Sequence, residues 1–151
     1  MSGKNEEKAR NALIQIGTRA DNGFDLLTGA FSLASLNRPD ISLEGYEDHI
    51  AQIEYSAASF NGENPLNPSN AACHLRKIMA VKYLYTGDIS TYEDLRNADL
   101  LWVIDRRRGL PVALGILYIH VGRQLGWQLE GLSFPGHFLV RLDINGNRVI
   151  L

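Results

Sequence analysis

The sequence is poor in the features that would commit it to a specialised class. It has one cysteine, Cys73, so no internal disulfide can form and a reducing compartment is expected. No apolar run reaches the length of a membrane span, and the longest, Val112 to Leu125, is too short. The opening MSGKNEEKAR is charged and has no apolar core, so no signal peptide is expected. The net charge of −2 gives no general attraction to nucleic acid or to acidic membranes. The one basic run, Arg106 to Arg108, has no interleaved aromatics and does not make a nucleic-acid groove. His49, His74, His120 and His137 include no pair at i, i+4, and Cys73 and His74 point about 100° apart on a helix, so no metal site is expected. Internal repeats and low-complexity segments are also missing. These absences predict a cytoplasmic protein with no cofactor, no membrane partner and no nucleic-acid partner.

What is present is a core. Hydrophobic residues make up 45% of 151 residues, enough for one packed domain. After a tail at 1–5, apolar spacing predicts helices over Glu6 to Ile16 and Phe24 to Leu36, the second stopped by Asn37-Arg38-Pro39. A third runs from Ser42 or Leu43 to about Phe60. Asn61 to Pro68 is a loop and a possible seam. Ser69 is placed to cap a fourth helix, to about Tyr85, burying Ala72, Leu75, Ile78, Met79 and Leu84. Thr86-Gly87-Asp88 breaks it and 88–96 is irregular. Asn97 is placed to cap a fifth helix that buries Leu100, Leu101 and Ile104 and ends at Gly109.

The distinctive stretch is Asp105 to Phe138. Pro111 suits a first helical turn and Gly126 a left-handed helix end. Between them nearly every position is apolar or small, so this helix belongs inside the core. Gly115 and Gly122 share one face and admit a close neighbour, while His120 and Gln124 share the opposite one. After Gly126 the period becomes alternating: Trp127, Leu129 and Gly131, then Phe138, Val140, Leu142 and Ile144, with His137, Leu139, Arg141 and Asp143 on the other face. Asn145-Gly146 predicts a tight hairpin into a strand at 147–151. The fold class is therefore α+β: a helical part over 1–96, then a buried central helix on a small antiparallel sheet over 97–151, read as a single domain.

This order, with a histidine opening the second strand, resembles the transglutaminase-like superfamily, and most closely its bacterial SirB-type branch. The residues that carry the resemblance are Asn97-Ala98-Asp99, Asp105 to Pro111, Leu117-Tyr118, Leu125-Gly126 and Phe134 to Arg141. The resemblance implies a papain-like core. It also implies a catalytic cysteine at the start of the central helix, where the dipole and a histidine make it a thiolate. His137 matches the family's histidine. The nucleophile should fall near Pro111 to Ala113, where none of the three side chains can attack, and relatives often carry serine where Ala113 stands. The third member would follow Leu151, so the sheet is expected to be incomplete there. Cys73 lies inside an upstream helix and reads as a small buried apolar residue. Arg106 and Arg107 read as the solvated end of a helix, whereas Arg108 lies just before the central helix.

The resulting expectation is a non-catalytic transglutaminase-like domain for protein or peptide interaction, with a regulatory role open to it. Its expected pocket contains His137, Arg108, Pro111 and Ala113 and takes an acidic side chain or a chain terminus. Against that pocket stands a reading in which Phe134 and Phe138 fill the space. Two other functions remain: a hydrolase or acyl transferase using His137 with an unusual nucleophile, and structural support for a C-terminal helical-repeat part.

Overall fold

The first apolar stripes pair two helices, α1 (Ser2–Thr18) and α2 (Leu26–Asn37). The structure, a computed structural model, describes residues 2–19, 24–60 and 67–151. α1 already opens at Ser2, so most of the expected tail is helical, and the Asn5 amide donates to the Pro39 carbonyl (3.2 Å). Asp25 caps α2, accepting from the Leu27 N–H (3.1 Å) and the Thr28 hydroxyl (2.7 Å). α3 (Glu44–Ala58) buries Ile50, Ile53 and Ala57, which recur at helical spacing.

The loop expected from Asn61 lies mostly outside the described residues. Where description resumes, Asn67 rather than Ser69 caps α4 (Pro68–Arg76): its Oδ1 accepts from the Ser69 N–H (2.8 Å), and Pro68 takes the first turn. The helix then widens into a π-helical segment, Lys77–Lys82. The widening sets Lys82 and Tyr83 against α3, where Lys82 Nζ donates to Ser56 Oγ (2.8 Å) and the Tyr83 hydroxyl donates to the Gln52 carbonyl (2.9 Å). Leu84 lies beyond the end of that segment. It is exposed, with φ of 61°, and not a core residue as expected.

The chain then makes a contact that local pattern could not show. β1 (Thr86–Gly87) pairs in parallel with β2 (Arg108–Gly109), so Thr86-Gly87 is a strand and not only a break. Between them lie a 3-10 turn, Leu95–Ala98, and α5 (Leu100–Arg106). Asp99, not Asn97, caps α5. Arg107 ends it in the left-handed conformation (φ 58°), while Gly109 is needed for closeness, since a Cβ there would meet Val103 at 2.6 Å. Asn97 is fully buried instead. Its Nδ2 donates to the Thr91 carbonyl (2.7 Å), its Oδ1 accepts from Arg106 (3.2 Å) and its carbonyl accepts from the Leu110 N–H (2.9 Å). Arg106 also bonds buried Asp88 (3.0 Å), and Arg107 bonds the Tyr85 hydroxyl (2.9 Å). Both arginines are thus internal ties and not a solvated helix end.

α6 (Pro111–Gln124) is the central helix as expected, and Gly126 follows it with φ of 78°. It packs on an antiparallel sheet ordered β3 (Gln128–Phe134), β4 (His137–Ile144), β5 (Asn147–Ile150). Asn145 and Gly146 have φ of 54° and 80°, the hairpin geometry their sequence predicts. The close approach is specific. The Phe138 ring lies in a slot between two glycines, Gly115 on α6 and Gly131 on β3, and Leu129 fits over Gly122. Buried residues from Leu27 to Ile144 form one apolar cluster spanning helices and sheet. The chain is α+β. Among the described residues no helix is long and apolar enough to cross a membrane.

Candidate functional site

The start of α6 directly follows β2. Leu110 caps it with no side-chain hydrogen bond, Pro111 and Val112 are exposed, and Ala113 turns inward and is buried. None of the three carries a nucleophilic atom. Beside them opens a groove of about 210 Å³ between α2, the 3-10 turn, the start of α5 and α6. Ala113 and Ile116 contribute the α6 wall, Ala30 and Ala34 the α2 wall, and Leu33 and Leu95 the rim. The polar side chains in the lining are Asn37 and Asp99, joined by a bond from Asn37 Nδ2 to Asp99 Oδ2 (3.2 Å). The other oxygen of Asp99 accepts from the Leu101 N–H (3.1 Å).

Of the four expected site residues, Ala113 lines this groove and Pro111, Arg108 and His137 do not. Arg108 is exposed on β2 and His137 is exposed where β4 begins, opposite Phe134 in the hairpin register. The reason is strand alternation: Phe138 faces Gly115 on α6, so its neighbour His137 takes the opposite side. The lining also contains a carboxylate and no basic side chain, which suits an apolar or cationic group better than the acidic one expected.

The remaining histidines are held by the fold. His74 Nε2 donates to the Ala57 carbonyl (2.8 Å), and His120, buried on α6, bonds Glu54 (2.6 Å) with Asp25 3.6 Å from its other nitrogen. His49 Nε2 lies 2.9 Å from the Tyr85 hydroxyl, whose oxygen already accepts from Arg107. With the ring proton of neutral His49 on Nδ1, that hydroxyl donates to Nε2. Burial, then the Arg107 charge, push His49 down to about 4, and burial pushes Tyr85 up to about 12. An unfolded histidine takes its proton near 6.5, so His49 costs stability as pH falls from about 6.5 to about 4. An NMR titration should place its midpoint near 4, and Arg107→Met should raise it. A midpoint near 6.5 in the unaltered protein would show the pair is not formed. Cys73 is exposed on α4, correcting the buried reading.

Sequence reasoning missed Asn37, Leu33 and Leu95, because the groove joins segments far apart in the chain. Asp99 was within reach: it precedes an apolar run and is a strong capping residue.

Comparison with known proteins agrees with this architecture. The profile described as the transglutaminase-like superfamily matches residues 44–151. A UPF0162 protein of Xylella fastidiosa is 33% identical over 137 residues, covering 90% of this chain and 48% of its own. A UPF0162 protein of Vibrio cholerae is 33% identical, covering 86% and 49%. F-box only protein 21 of Homo sapiens is 30% identical, covering 90% of this chain and 25% of its own. The chain thus spans about half the length of the bacterial relatives it matches. No solved structure matches it.

Proposed function

The chain belongs to the transglutaminase-like superfamily, and from that premise we propose that it is a non-catalytic member that binds a protein or peptide through the groove beside Ala113. One observation carries the reading. Where the family's thiolate belongs, the helix start presents Pro111, Val112 and Ala113, and the space beside it is an apolar groove. Removing a nucleophile while keeping the concavity leaves a binding surface. The occurrence of this domain in a protein named F-box only protein 21 and in longer bacterial chains fits a module that works through other protein. The cytoplasm is its proposed setting, in keeping with an exposed unpaired thiol at Cys73. Structural support for another part of a longer chain is a second reading, favoured by the 48% coverage of the relatives.

The test is enzymatic. Purified protein should release no ammonia from glutamine-donor peptides and cleave no generic peptide amides above background, and Cys73→Ala and His137→Ala should behave identically. Turnover that either substitution removes would end the non-catalytic reading and restore the hydrolase or acyl-transferase alternative.

A further inference from the structure

The segment forming one rim of the groove exposes far more apolar surface than a surface loop needs. Ile89 is 95% exposed, Leu95 88% and Tyr92 62%, and Leu33 across the groove is 59% exposed. Scattered apolar side chains need no explanation, but Leu33 and Leu95 line one concavity together, and Ile89 and Tyr92 are exposed on the same segment as Leu95. The segment is also fixed in place. Asp88 accepts from the Ser90 N–H (3.1 Å) and the Thr91 N–H (2.9 Å), Asn97 holds the Thr91 carbonyl, and Arg106 ties Asp88 and Asn97 together. A surface held rigid in the unbound protein loses little conformational freedom on binding.

Its charge selects the partner. Residues 86–99 contain Asp88, Glu93, Asp94 and Asp99 against a single Arg96. Arg96 is occupied by Asp94 (2.6 Å), and Arg106 reaches Asp88 from beneath. Among the described residues, Glu93 and Asp99 have no cationic partner, and Asp99 lies in the groove lining. Carboxylates beside an apolar slot complement a chain that follows apolar side chains with a lysine or arginine.

We propose that the groove between Leu33 and Leu95 docks a partner protein's segment in which branched apolar residues precede a basic residue that reaches Asp99. This deepens the peptide-binding reading above and rests on it. The apolar side chains fill the slot against Ala113 and Ile116, and the basic group meets the Asp99 oxygen that also accepts from Asn37.

The probes are two capped hexapeptides, Gly-Leu-Leu-Lys-Arg-Gly and its counterpart with Glu-Asp in place of Lys-Arg, titrated into labelled protein and followed by amide NMR. The basic peptide should shift the Ala113, Leu95 and Asp99 amides and weaken with added salt. Asp99→Asn should lower its affinity roughly threefold, in line with one exposed charge pair, while keeping the helix cap. Leu95→Ser should abolish the shifts without unfolding the protein, since that side chain is exposed. Equal shifts from the acidic peptide, or indifference to Asp99→Asn, overturn the basic partner and leave the peptide-binding reading standing. Shifts from neither peptide overturn both. Self-association removed by Leu95→Ser would give the groove to a second copy and overturn the proposal as well.

Discussion

Gly115→Leu should lower the melting temperature by roughly 3–10 °C, from an overpacking cost of about 1–3 kcal/mol or more. The Phe138 ring already touches the space a Cβ at Gly115 would need. On its other side the ring packs on Gly131, so closely that a Cβ added there would come 2.7 Å from Cζ and 2.9 Å from Cε2. The two glycines come from different elements, so the ring is the wedge that sets how closely α6 lies on the sheet. A smaller wedge should relieve the strain: Gly115→Ala with Phe138→Leu should be more stable than the sum of the single effects predicts. Strict additivity in that cycle, or a melting curve unmoved by Gly115→Leu, would show that the slot is not tight.

The slot also explains which parts of the architecture were legible in the sequence. Gly115, Gly122 and the alternating strands after Gly126 are local signals, and each element they predict is present. Asn145-Gly146 needs positive φ at both positions and takes it. What local pattern could not supply were pairings between distant segments. Thr86-Gly87 reads as a breaker until Arg108-Gly109 lies alongside it. Leu84 stands nine residues beyond Leu75, about 180° round a regular α-helix, so the helical period alone does not place it in the core, and after the π-helical segment at Lys77–Lys82 it takes a positive φ and is exposed.

The candidate site divides in the same way. Its α6 wall was placed at Ala113 from motif position alone. Its other walls come from α2 and from the segment before α5, which no spacing rule brings together. His137 shows the opposite problem: the motif names the residue, while the direction of its side chain depends on which neighbour faces the helix. Phe138 takes that face because Gly115 and Gly131 leave room for a ring.

Asn97→Ala should destabilise the protein by roughly 2–4 kcal/mol, because two part-buried groups lose the fully buried Asn97 amide as their partner, at about 1–3 kcal/mol each. The groups are the Thr91 carbonyl and one arm of Arg106, held at 2.7 and 3.2 Å. That cost corresponds to a melting temperature lower by roughly 5–15 °C for a chain of this size. Asn97→Asp distinguishes the two bonds. It keeps an acceptor for Arg106, loses the donor to Thr91, and places a second carboxylate by Asp88, which hydrogen bonds from Thr91 hold well below the usual carboxylate range. Protonating the new carboxyl restores a donor and removes the repulsion. Its folded pKa is therefore raised, and the variant's deficit should shrink as pH falls toward about 4 and grow above it. The groove must respond too, since Leu95, Ala98 and Asp99 flank Asn97 on both sides and line it. Near neutral pH the variant should bind the basic hexapeptide more weakly even at temperatures where it remains folded. Unchanged melting together with unchanged binding would mean that the buried amide neither holds this segment nor shapes the site.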